Sequence, residues 1–475
     1  MRTKQTRIIR LLFSFLFLSS CGSLTETEIG SSSQLEAPTP DYEGADAIIA
    51  PTAVISSDES ESIIENSETV VLEMWHPFSG RDAEALNQQI AAFNEELDGG
   101  MQIIVTSHAD DEVLIEDLLQ SIAEDVRPDI VLAPGYFLRD LAENEELVFI
   151  ENMQLNQGGG NEQSPVFPVF WNLDVMDEKR YGVPYLQLGH FLYYHTAWAE
   201  EMGFNAFPDT IGAFEEQICA AFNQNRFDED IDNNGTGGYF FPSGSVPFLS
   251  WMRAFGGSVS FNSRGELIIL SDENIQALRY LSRLWNQDCA WWSDKSQTPT
   301  QYFLNRNTIV YSGRSDAMDL QFAVMNALEG QGDWNVIPYP SLDGKSILAF
   351  DSYSFAIMDR EDTDIEEALI LIQWMLEPER HLEMVYQNGA FPLSTDEIQI
   401  VDREWELYPI WQGTLQYIPF LEPLPQSSGW YTTEKVLDDL GWQIIQYAVT
   451  EEDIPRFLED AESLANSIML NVPED

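Results

Sequence analysis

Two periods of apolar residues alternate along residues 69–133. Residues 69–74 (TVVLEM) form a β-rich run that predicts a strand. Ser79 then opens a helix, with Asp82 three residues on in a capping-box-like position. Leu86, Ile90, Phe93 and Leu97 share one face of that helix, and Gly99-Gly100 stops it. Residues 101–106 (MQIIVT) predict a second strand, and Leu114, Ile115, Leu118, Leu119 and Ile122 a second helix. After Pro128, residues 129–133 (DIVLA) predict a third strand. Repeated β-α units predict a parallel sheet with helices on its faces. Ligands of such sheets sit beyond the carboxyl ends of the strands, here 75–78, 107–110 and 134–136.

A second set of elements follows Tyr181. Helical faces fall at 210–223 and 272–285, and residues 308–312 (TIVYS) predict a strand. Residues 350–357 predict another strand, leading into a helix with Ile365, Ala368, Leu369, Ile372 and Leu376 on one face. The last hundred residues predict two more helical segments between proline-rich loops. The whole is an α/β pattern long enough for two lobes.

The first 68 residues follow other rules. Arg2, Lys4, Arg7 and Arg10 precede an apolar run at 11–18, which is shorter than the roughly 20 residues a membrane span needs. It reads as a secretory leader over 1–20. The sequence Leu18-Ser19-Ser20-Cys21-Gly22 resembles a bacterial lipobox, in which the cysteine is diacylated and becomes the new N-terminus. An ordinary secretory leader with Cys21 as a neighbour is the other reading. Residues 22–68 contain no Lys or Arg and are rich in Ser, Thr, Asp, Glu and Pro. Such a segment buries too little apolar surface to offset its ordering entropy, so 21–68 reads as a tether from a lipid anchor.

A formal net charge of −57 argues against nucleic acid and anionic lipid surfaces as partners, and disfavours a polyanionic substrate. With Cys21 set aside, Cys219 and Cys289 remain. An oxidising compartment permits them one disulfide; two buried thiols are the alternative.

Several segments stand in a telling order. Trp75-His76-Pro77-Phe78 follows the first strand, and Arg127-Pro128-Asp129-Ile130-Val131 leads into the third. Tyr181-Gly182-Val183-Pro184-Tyr185 precedes Phe191-Leu192-Tyr193-Tyr194 and a helix start at His195-Thr196. Residues 303–313 and 351–357, and then Asn388-Gly389-Ala390-Phe391-Pro392, complete the series. In order and spacing, over roughly residues 70–400, these resemble family 1 extracellular solute-binding proteins, the maltose-binding type that serves sugar importers. The chain departs from that pattern at Asn305-Arg306, at Arg314 and in the Cys219/Cys289 pair. The resemblance implies two lobes, 69–181 with 351–394 and 182–350 with 395–475. Crossing segments near Tyr181 and Phe350 would join them, and the gap would close on a ligand. It further implies a monomeric, non-catalytic receptor without a cofactor, with a sugar as ligand and ABC permease subunits as partners.

Sugars offer hydroxyl edges and apolar ring faces, so aromatic and hydrogen-bonding side chains are the candidates. Trp75, His76 and Phe78 end the first strand; each is a ligand contact or a structural residue. Tyr185 and Gln187 follow the crossover. Ser243 and Ser245 flank a glycine turn, and Trp251 is a stacking candidate or a core residue. Arg314 beyond a strand end either forks onto hydroxyls or a carboxylate, or forms a surface ion pair. Asp351 and Tyr353 enter the return strand, and Trp411 lies in a loop able to reach the gap.

Other chemistries find weaker support. Asp230, Asp232 and Asn234 match the first half of a calcium loop, but Phe241 stands where its bidentate Glu belongs. Tyr193-Tyr194 suggests a ferric site only until strand geometry sends neighbours to opposite faces. A glycan hydrolase and an importer-independent surface sensor are the rival functions. The chain contains no Gly-x-Ser-x-Gly elbow or HExxH helix.

Overall fold

The computed structural model describes residues 69–470 except 98–99, 151–165, 242, 294–297, 328–332, 346, 362–363, 405–408 and 447–448. The leader, Cys21 and the tether lie outside the described residues.

The first half follows its periodicity closely. Strand β1 (Val70–His76), helix α1 (Gly80–Glu96), β2 (Met101–Ser107), α2 (Asp111–Ala123) and β3 (Ile130–Pro134) form in turn. Leu86, Ile90 and Phe93 are the buried face of α1. Ser79 is its cap residue in extended backbone, but its side chain makes no capping bond. The expected box with Asp82 therefore does not form; an Asp at that position is a methylene shorter than the Glu or Gln that reaches back. Asp110 does cap α2, accepting from the Val113 amide at 3.0 Å. Helix α3 (Gly135–Glu143) follows β3 directly.

Two long strands cross the molecule, β4 (Val183–Tyr194, 12 residues) and a later partner. Between them lie α4 (Ile211–Phe227), β5 (Gly237–Phe240), α5 (Ser245–Ala254), α6 (Asp272–Asn286), β6 (Ala290–Trp291), β7 (Thr308–Arg314) and β8 (Asn335–Ile337). The partner is β9 (Leu348–Ile357, 10 residues). Helices α7 (Ile365–Met375), α8 (Pro378–Asn388) and α9 (Thr395–Glu404) come next. Then β10 (Leu421–Pro423), α10 (Gly429–Gln446) and α11 (Ile454–Leu470) complete the described chain.

Where the sequence predicts two helical segments near the end, the structure has α8, α9, a short helix at Pro409–Thr414, α10 and α11. The prolines that read as loop markers are partly helix starts: Pro378 and Pro409 are first residues, where a missing N–H costs nothing.

Among the described residues, ten strands make one sheet in the order β6-β5-β7-β4-β9-β3-β1-β2, with β8 on β4 and β10 on β9. β1 runs parallel to β2 and β3, and β9 runs antiparallel to both β3 and β4. The first part of β4 pairs with β9 (Phe350↔Gly189), and its last part with β7 (Arg314↔His190). The junction of these pairings sets His190, Arg314 and Asp351 side by side.

Core residues fall into two clusters, and neighbours along β3 and β9 alternate between them: Val131 and Ala133 in one, Ile130 and Leu132 in the other. The clusters are thus the two faces of the sheet, and each draws on elements from both ends of it. Tyr193 and Tyr194 likewise part, Tyr193 donating to the Arg314 carbonyl at 2.7 Å and Tyr194 to Gln217. Cys219 on α4 and Cys289 beside β6 form a disulfide with Cα atoms 4.6 Å apart, closing a separation of 70 residues. A loop of that size is worth about 4 kcal/mol in the chain-entropy model. Among the described residues no helix is long and apolar enough to cross a membrane.

Candidate functional site

A cavity of about 410 Å³ opens where the two pairings of β4 meet. Its walls come from both ends of the sheet. Asp111 and Glu112 of α2, and Pro134, Gly135 and Tyr136 at the end of β3, form one side. Ser243, Gly244, Ser245, Ser312, Gly313 and Arg314 form the other, with Tyr431, Glu434 and Lys435 of α10. His190, Asp351, Ser352 and Tyr353 of the crossing strands make the floor, and Val246, Pro247, Leu424 and Gln426 complete the lining. Of the three strand ends, 134–136 line this cavity, whereas 75–78 and 107–110 do not, the lining beginning one residue later at Asp111.

Sequence reasoning placed Ser243, Ser245, Arg314, Asp351 and Tyr353 at this cavity, and the structure brings all five together. Gly244 has φ of 89°, a backbone that favours glycine, and its amide donates to Asp438 Oδ1 at 2.8 Å. That bond presents Ser243 and Ser245 at the lip.

The other candidates lie elsewhere, each for a visible reason. Trp75 donates to Glu73 Oε1 at 2.7 Å and packs on the His108 ring. His76 is fully buried, accepting from the Phe78 amide at Nδ1 and bonded to Ser107 Oγ at 3.0 Å through Nε2. Burial lowers its pKa to about 4, so it is neutral. Phe78 stands behind the cavity, its ring centroid 5.3 Å from that of Tyr353. Tyr185 is core and donates to Gln89 Oε1 at 3.1 Å. Gln187 is buried, and its side-chain amide has no hydrogen-bond partner among the described residues. Trp251, read as a stacking candidate or a core residue, is core: it is fully buried on α5 and donates to Tyr239 Oη at 3.1 Å amid Phe214 and Tyr280. Trp411 is not a free loop residue but donates to the Ala390 carbonyl at 2.8 Å. The Asp230–Asn234 loop uses its carboxylates locally: Asp228 Oδ1 accepts from the Asp230 amide and Asp230 Oδ1 from the Asp232 amide. Among the described residues no group of three His, Cys, Asp or Glu side chains could hold a metal ion.

Asp111, Glu112, His190, Ser352, Gln426, Tyr431, Glu434 and Lys435 escaped sequence reasoning. Tyr431, Glu434 and Lys435 fall at i, i+3 and i+4, so a helix assignment at 429–446 puts them on one face. Nothing in the sequence says which lobe that face meets.

Electrostatics organise the floor. Asp351 receives His190 Nε2 at 3.0 Å and Arg314 Nη1 at 3.1 Å. Burial opposes its ionisation, but the imidazole and the guanidinium outweigh burial and hold its pKa down at about 2. Arg314 also donates through Nη2 to Asp316 at 2.5 Å, so its charge is fully engaged by protein. Tyr353 Oη donates to Asp111 Oδ2 at 2.9 Å, and Ser245 Oγ to Glu434 Oε1 at 3.1 Å. Across the rim, Lys435 Nζ lies 2.8 Å from Glu112 Oε2, and Tyr431 Oη donates to Glu112 Oε1. The arrangement offers hydroxyls and carboxylates to a polar guest.

Comparison with known proteins places this geometry. The family model described as bacterial extracellular solute-binding protein matches residues 88–410. Among curated protein sequences none is significantly similar. The fold resembles the GacH receptor of Streptomyces glaucescens, solved unliganded and with acarbose, at 11% identity and a TM-score of 0.69, covering 84% of this chain and 99% of that one. It resembles an ABC transporter solute-binding protein from Thermotoga lettingae bound to α-D-tagatose, at 18% identity, TM-score 0.67 and coverage of 84% and 100%. It also resembles an ABC substrate-binding protein from Listeria monocytogenes in complex with cycloalternan, at 16% identity, TM-score 0.67 and coverage of 85% and 99%. The fold is the two-lobed α/β architecture of these proteins.

Proposed function

The chain belongs to the bacterial extracellular solute-binding proteins, and from that premise we propose that it is the sugar receptor of an ABC importer. The ligand is a sugar or oligosaccharide held in the cavity between the lobes, and the protein performs no chemistry on it. The observation that carries this reading is the cavity lining: serine, tyrosine, carboxylate and guanidinium groups from both lobes converge on one polar space, the donor and acceptor set that hydroxyl-rich rings require. The sugar-bound proteins of similar fold support it. Ligand contact with both walls favours the closed arrangement, which then docks on the permease.

We take residues 69–181 with 351–404 as one lobe and 182–350 with the remainder as the other. The boundary falls after α9, because Glu397 is bonded to His381 of α8. The protein works as a monomer, tethered through residues 21–68 and diacylated at Cys21. Growth with labelled palmitate should label the wild type but not Cys21→Ser, which is released from the membrane.

Thermal shift and calorimetry across a sugar panel test the central claim. Binding with compaction in X-ray scattering is expected; absence of heat and of stabilisation with every sugar would refute it, and turnover of a reporter glycoside would favour a hydrolase.

A further inference from the structure

Charge pairing around the cavity is unequal. Its lysine and arginine are both engaged, Lys435 by Glu112 at 2.8 Å and Arg314 by Asp316 at 2.5 Å and Asp351 at 3.1 Å, and the His190 ring lies 3.0 Å from Asp351. Two carboxylates are left with hydroxyl partners only. Asp111 takes Tyr353 Oη at 2.9 Å, and Glu434 takes Ser245 Oγ at 3.1 Å. They face the cavity from opposite lobes, on α2 and α10.

The surroundings show the lack of a counter-charge. Burial raises the Asp111 pKa to about 6, Arg314 offsetting part of the rise. Burial, and next the Asp351 charge, raise that of Glu434 to about 7, with Lys435 offsetting little. A separate observation points to a ligand. Ser352 lines the same cavity, is only 6% exposed, and its Oγ has no hydrogen-bond partner among the described residues. Gln426 Oε1, also in the lining, is likewise without one. A buried hydroxyl and a carbonyl left without partners are groups that a guest completes.

We propose that the cavity selects carbohydrates carrying a protonated amino group over their neutral and acidic counterparts. The inference rests on the carbohydrate reading above. An ammonium placed between Asp111 and Glu434 supplies the cation that neither carboxylate has, and hydrogen bonds to ionised groups are roughly twice as strong as neutral ones. A neutral sugar must be accepted by carboxylates that stay uncompensated. An acidic sugar meets both of them while the one guanidinium in the lining is already paired.

Titration calorimetry of the full chain at pH 7 with matched probes decides it. The amines are glucosamine, galactosamine and the glucosamine trisaccharide. Their uncharged counterparts are glucose, galactose and the N-acetylated trisaccharide, with galacturonate as the acid. At least one amine should bind tenfold or more tighter than its counterpart, and the preference should fall below threefold in Glu434→Gln and Asp111→Asn. The wild-type pairs decide even if a variant fails to fold. Equal or tighter binding of the neutral or acidic probes overturns this inference and leaves the carbohydrate reading intact. Failure of every sugar, charged or not, overturns both.

Discussion

Two histidine–carboxylate pairs hold strand β4, each at 3.0 Å, and they serve different ends. His381 and Glu397 are 0% and 4% exposed. Every group there is met by protein: His381 Nε2 contacts the Tyr185 carbonyl at 2.7 Å, and Glu397 Oε2 accepts from the Leu393 amide at 2.6 Å. His190 and Asp351 are 13% and 15% exposed, Asp351 also takes Arg314, and among the described residues the Ser352 hydroxyl in the same lining has no partner. The closed pair ties α8, α9 and β4 together. The open one keeps its polar atoms turned towards solvent and a guest, an arrangement that gives up stability for recognition.

The largest expected effect breaks the closed pair. His381→Gln leaves Glu397 buried without its partner and should cost about 3–5 kcal/mol in urea unfolding. Burial opposes charging of His381, but Glu397 and the Tyr185 carbonyl outweigh it and raise its pKa. Its contribution is therefore complete below a pH of about 6.5 and fades as pH rises through the raised value. Wild type should lose stability between pH 6 and 9 more steeply than the variant; parallel slopes would remove the pair as the cause.

At the open pair, Arg314→Gln removes the guanidinium that positions Asp351 in the cavity floor, and through that loss should weaken sugar binding about 100-fold, roughly 3 kcal/mol, in calorimetry. Asp351, held at about 2, contributes stability above a pH of about 4 that is lost as pH falls towards 2. Acid unfolding of this variant should begin at higher pH.

Glu434→Gln should act in the opposite sense. The folded pKa of Glu434, about 7, exceeds its unfolded value, so its ionisation opposes folding increasingly between pH of about 4.3 and 7. The variant should be more stable by about 3 kcal/mol at pH 8 and unchanged at pH 4. Smallest is Trp251→Phe, which removes one hydrogen bond to Tyr239 and part of a fully buried ring at a cost of about 2 kcal/mol. It should leave sugar affinity unaltered, whereas a large loss would return Trp251 to the site.

The β-α periodicity of residues 69–133 was legible because each element there covers one face of a sheet. Arg314 followed from the same geometry because it ends β7, and Asp111 lies one position beyond the strand end considered, whereas Asp351 and Tyr353 lie within β9 and were read from their place on the return strand. Aromatic residues misled for a physical reason. Trp251 and Tyr185 have the chemistry of ligand stacking and of core packing alike, and only tertiary contacts choose between them. The contribution of α10 was invisible because its polar face reads as solvent-facing until the opposite lobe is in place.

The alternation of core residues between the faces of one sheet bears on how the molecule fails. Both apolar clusters run through the crossing strands from one lobe to the other, Leu114 and Trp251 falling in one and Ile90 and Tyr302 in the other. Cutting the chain at the crossing segments would strip both halves at once. Heating should accordingly produce a single endotherm, and limited proteolysis should yield no surviving fragment of half size.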